Sequence, residues 1–141
     1  MNATQLLVLA CASQVVLTLI VCLAMLVHRI RLMKKIRLHP QAVALSGDRL
    51  KHYKDSRISD NYNHLFELPV LFYVVCIVGS IGQHTPSGLV LLAWGVVISR
   101  VVHSCIQCSY NRVTHRFSVF VLGLILMIMM WLGFVVSYLS L

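Results

Sequence analysis

The chain has 141 residues, 59% of them hydrophobic and only 11% charged, with a mean hydropathy of +0.84 and a formal charge of +8. That balance argues against an ordinary soluble domain and for a membrane protein, since about 20 apolar residues cross a bilayer. The five cysteines (Cys11, Cys22, Cys76, Cys105 and Cys108) all fall in apolar stretches, which argues against a disulfide framework.

The first predicted span covers residues 6–27. The preceding MNATQ carries no Lys or Arg, and the first cation, Arg29, follows the span. A cleavable signal needs positive charge before its apolar run, so this segment is expected to remain as an anchor. A basic loop over 29–59 comes next. Arg29, Arg31, Lys34, Lys35, Arg37, Arg49, Lys51, Lys54 and Arg57 place nine of the twelve Lys/Arg there. The segment HRIRLMKKIRLHP suits anionic headgroups. Pro40 and Gly47 punctuate this loop, and helical extensions of its flanking spans are expected to fill much of the rest.

The second span covers 65–81 and contains two residues that hydrocarbon disfavours, Glu67 and Pro69. The short loop QHTPSG makes spans two and three antiparallel neighbours. Span three covers 89–108, and span four covers 117–139 with no charged residue. Span four is apolar on every face, which suits lipid better than water. The expected fold is therefore an all-α, integral-membrane four-helix bundle forming one domain over 1–141. By the positive-inside rule, the loop over 29–59 and the loop bearing Arg112 and Arg116 face the cytoplasm. Both termini then lie on the non-cytoplasmic side. The sequence pI near 9.7 is thus a topology signal. Nucleic acid is not an expected partner, because no interleaved basic and aromatic platform accompanies the charge. The Cys105 and Cys108 C-x-x-C sits late in its span, away from the helix N-terminus that would activate a thiol, so it reads as small residues in a membrane helix.

Polar groups concentrate on two stripes. Arg57, Asp60, Asn63, His64 and Glu67 fall within an arc of roughly 120° on a continuous helix, and so do Arg100, His103, Ser104, Gln107, Tyr110 and Asn111. Both stripes occupy the cytoplasmic half of their spans, with Glu67 about 6 Å and Arg100 about 10 Å in. Ionisable residues inside a membrane face a bundle interior and find partners. Glu67 is expected to pair with Arg100 or with the ammonium group of a ligand. A structural ion pair would explain those two alone. The further presence of Asn63, His103, Tyr110, Arg112 and Arg116 at the same depth points to a site for a small anionic ligand, next to lipid that can deliver an apolar substrate. Pro69 cannot donate to the Leu65 carbonyl, so a local kink beside Glu67 would widen the mouth there; proline is also simply commoner in membrane helices, and the sequence leaves both readings open.

These residues carry a resemblance. Four spans, a basic first loop, NHLFELPVLFY, and SRVVHSCIQCSYNRVTHRF resemble the MAPEG proteins, membrane-associated proteins in eicosanoid and glutathione metabolism. The similarity covers essentially the whole chain and is greater to the bacterial branch than to the animal leukotriene and prostaglandin synthases. A bacterial inner membrane is the implied location. The resemblance implies a homotrimer that binds glutathione between subunits near the cytoplasmic face. It also implies a thiolate directed at a lipophilic electrophile. On that basis Glu67 lines the glutathione site, Arg100 and His103 form the span-three pair, and Arg116 is the catalytic residue that holds the thiolate. Arg29 matches the arginine that ends span one. Arg57, Asn63, Tyr110 and Arg112 complete the candidate contacts. Two positions depart from the family pattern: His64 stands where Asn is frequent, and Gln107 stands where a tyrosine is usual. The expected function is a membrane glutathione transferase or peroxidase. A non-catalytic binding or scaffold protein and a small proton-coupled transporter using Glu67 are the alternatives.

Overall fold

A computed structural model describes residues 1–43, 47, 52, 55–82 and 85–140. The described residues form helices α1 (Ala3–Lys35), α2 (Arg57–His64), α3 (Leu68–Ile81), α4 (Ser87–Cys108) and α5 (Val113–Leu139), with a 3-10 turn at Pro40–Val43. Four stretches are long and apolar enough to cross a membrane, α2 and α3 together making one of them. Much of the 29–59 loop and part of the QHTPSG turn lie outside the described residues.

Helix α1 opens on a capping box. Asn2 accepts from the Gln5 amide at 2.8 Å, and the Gln5 side chain accepts from the Asn2 amide at 3.0 Å. Its 33 residues span about 50 Å against about 30 Å of hydrocarbon, so the helix continues well beyond the predicted 27 into its basic end. This is the expected helical extension of span one.

The packing follows from small and apolar residues at one end. A Cβ on Gly79 of α3 would meet Leu89 at 3.2 Å and Leu7 at 3.3 Å. The start of α1, the end of α3 and the start of α4 therefore share one level, with Thr4 and Thr85 hydroxyls 3.0 Å apart. Helix α4 is the central element. It packs most extensively on α5 and next on α1. Leu7, Ala10, Phe72, Val75, Ala93, Val96, Met127 and Met130 make the buried core. In α5 the packing methionines are Met127 and Met130, whereas Met129 is half exposed.

The second span, where the sequence leaves a proline kink open, is broken. Helix α2 ends at His64, residues 65–67 form a turn, and α3 restarts with Pro69 in its first turn. Pro69 supplies no N–H to the Leu65 carbonyl, and its ring excludes the helical path there. In the first turn of a new helix the missing donor costs nothing, so the break settles directly before it. The Phe66 amide closes the turn on the Asn63 carbonyl at 2.9 Å.

Candidate functional site

At the basic end, α2, α4 and α5 enclose a cavity of about 220 Å³ lined by His64, His103, Val113, Arg116, Phe117 and Phe120. The α5 contribution at 113, 116, 117 and 120 is one helical face, the i, i+3, i+4, i+7 pattern. The cavity is thus polar on its α2 and α4 side and aromatic on its α5 side. Phe117 is largely exposed on the outer surface of α5. A second cavity, of about 200 Å³, lies at the opposite end between α3, α4 and α5. Its walls include Val78, Leu89, Phe134, Ser137 and Tyr138, and no charged side chain lines it.

The α4 stripe is buried as a unit. Arg100, His103, Ser104 and Gln107 are each under a tenth exposed. The Arg100 guanidinium stands 5.4 Å from the centroid of the Phe120 ring. Space for it exists because residue 123 is glycine: a Cβ there would lie against Arg100 Nη2 and 2.6 Å from Ser99 Oγ. Among the described residues, no carboxylate pairs with Arg100. His103 Nε2 lies 3.0 Å from Gln107 Oε1, and Nδ1 has no hydrogen-bond partner among the described residues. The His103 ring sits 6.2 Å from both His64 and Phe120.

Glu67 does not make the expected pair with Arg100. Its Oε2 lies 2.9 Å from Nδ1 of His64. The break after His64 sets the local path, and the pair at i, i+3 is satisfied within one chain segment. The Glu67 side chain remains 58% exposed, which leaves room for a second contact.

Arg116 is held by Asn111. Its Nη1 donates to Asn111 Oδ1 at 2.9 Å. Asn111 adopts φ 48°, in the left-handed region that Asn tolerates better than most residues, and this turns the chain from α4 into α5.

The other candidates lie off the cavity. Arg57 donates to Asp55, with its Nη2 2.7 Å from Oδ2, and to the Ser109 carbonyl, latching the start of α2 to the end of α4. Tyr110 falls past the end of α4, 60% exposed, with its hydroxyl 3.2 Å from His115 Nδ1. The continuous stripe expected through residue 110 ends where the helix ends. Asn63 and Arg112 are exposed, and Arg29 is half-buried near the end of α1; none of the three lines the cavity.

Asn61, outside the predicted polar stripe, is fully buried. It accepts from Ser104 Oγ at 3.2 Å and donates to Cys108 Sγ at 3.3 Å. These bonds hold α2 against α4 and set the height of His64. They also give Cys108 a packing role. Phe117, Phe120 and Gly123 were legible as the continuation of the Arg116 face, at helical spacing.

Fold and site together define a four-span helical membrane protein with a cavity lined by Arg116 and two histidines at its basic end. A model of the MAPEG family matches residues 7–136, and the chain belongs to that family as an integral membrane protein. Among curated proteins and among solved structures there is no significant match.

Proposed function

We propose that this protein is a membrane-bound, glutathione-dependent transferase or peroxidase for lipophilic electrophiles. The observation that carries the reading is Arg100, buried at 3% exposure with no carboxylate in ion-pair contact among the described residues, against Phe120, which lines a cavity together with Arg116. A charge at that burial, faced by an aromatic ring and without an ion pair, is costly, and an anionic ligand would offset the cost. Glutathione carries two carboxylates, which suit guanidinium recognition, and one α-ammonium, which suits the free face of Glu67. Arg116 holds the thiolate by charge and hydrogen bonding, because arginine has no proton-accepting form in practice. The aromatic wall at Phe117 and Phe120 admits an apolar substrate from the lipid side.

In this reading the chain is one four-span domain. The basic end faces the cytoplasm of a bacterial inner membrane, both termini lie outside, and three copies assemble. Trimerisation would give exposed candidates such as Asn63 and Arg112 a partner surface on a neighbouring copy. A non-catalytic binding role is the second reading. Its support is Gln107, fully buried and engaged with His103 where a tyrosine is usual in the family.

Calorimetry with glutathione on the detergent-purified protein tests the proposal. Wild-type binding that is lost in Arg116→Ala and weakened in Glu67→Gln is the expected result. No binding by folded wild-type protein overturns it. Binding with no conjugation of any electrophile favours the second reading.

A further inference from the structure

Resting on the glutathione reading, we infer that His64, oriented by Glu67, is the base that removes the thiol proton in this cavity. The Nδ1–Oε2 distance is 2.9 Å. An ionised carboxylate can only accept, so Nδ1 is the donor and Nε2 keeps its lone pair. A carboxylate that fixes an imidazole tautomer and its orientation in this way prepares the other nitrogen to take a proton.

The remaining groups of the cavity are worse placed for that role. Arg116 has no lone pair to give. His103 is almost fully buried, and its Nε2 is committed to Gln107. His64 lines the cavity, with its ring 6.2 Å from His103 at an interplanar angle of 84°. The charged and titratable groups facing it are Glu67 on its own turn, Arg100 and His103 on α4, and Arg116 on α5. The two arginines favour the sulfur anion left behind, so base and anion holder are separate residues.

The step balances. His64 Nε2 takes the S–H proton, and the electron pair stays on sulfur beside Arg116. When sulfur bonds to the electrophilic carbon, the departing group leaves with the electrons of the bond that breaks. With the chloronitrobenzene the departing group is chloride, which leaves as the anion, and His64 gives its proton to water.

The test uses full-length protein in detergent with glutathione and an activated chloronitrobenzene. Nitrogen-15 NMR of the histidine ring in the free protein is expected to show the Nδ1–H tautomer at His64. The ultraviolet absorbance of bound thiolate, followed against pH, is expected to show a one-proton limb. His64→Gln should shift that limb and lower kcat/KM by about 10²- to 10⁴-fold in protein that still binds glutathione. His64→Asn, carrying the residue frequent in the family, repeats the comparison if the glutamine variant does not fold. An Nε2–H tautomer, or an unchanged pH profile and rate in a variant that still binds glutathione, overturns the His64 assignment alone. Absence of glutathione binding in every form overturns the assignment together with the reading beneath it.

Discussion

Replacing Gly123 with alanine places a methyl group where the Arg100 guanidinium lies. The added Cβ would press on Nη2 of Arg100 and sit 2.6 Å from Ser99 Oγ, so both groups must move. Ser99 Oγ would give up its 2.7 Å bond to the Val96 carbonyl, at a net cost of about 1 kcal/mol. Arg100 would leave the face of Phe120, at about 0.5–2 kcal/mol. Removing a glycine from a helix interior returns about 0.5–1 kcal/mol. The net expectation is a destabilisation of about 0.5–2.5 kcal/mol, or a drop of a few degrees in the unfolding midpoint. Gly133 on the same helix is the control, because a Cβ there meets nothing within 4 Å. Gly133→Ala should be neutral or slightly stabilising. Thermal unfolding of both variants in the same detergent decides the matter. Equal midpoints for the two would refute the claim that Gly123 is the seat of Arg100. Weaker glutathione binding in Gly123→Ala would further tie this seat to the ligand site.

Asn61→Ala removes two links between α2 and α4 from a fully buried position. It should cost about 1–3 kcal/mol. A double-mutant cycle with Ser104→Ala should show coupling of at least about 0.5 kcal/mol, and strict additivity would contradict the hydrogen bond. Asp55 offers a pH-dependent comparison outside the spans. The Arg57 side-chain hydrogen bond lowers its pKa to about 2. A carboxyl with a depressed folded pKa contributes fully above its unfolded value near 3.9, and the contribution fades as pH falls toward 2. Both partners are 42% exposed, so the contribution is below about 1 kcal/mol. Asp55→Asn should therefore lower stability slightly at neutral pH, with the gap to wild type closing only below about pH 4. A gap already closed near pH 6 would show that another group is responsible.

Hydropathy by itself determined four membrane-crossing stretches, and the 3.6-residue period determined the buried stripe of α4. Arg100, His103, Ser104 and Gln107 share that stripe because helix geometry fixes their angles whatever lies opposite. The residue pattern also pointed to the family that the match over 7–136 shows. Partner choice was not legible in the same way. Glu67 meets His64 and not Arg100 because the helix breaks before Pro69, and a periodic projection assumes that it continues. Tyr110 leaves the stripe for the same reason, at the end of α4. The seat of Arg100 against Gly123 and the link from Asn61 to Ser104 depend on how neighbouring helices are rotated and how closely they approach. Those quantities are set by the packing of all the spans at once. The sequence therefore determined which face of each helix is polar, and only the tertiary structure decided which polar groups touch.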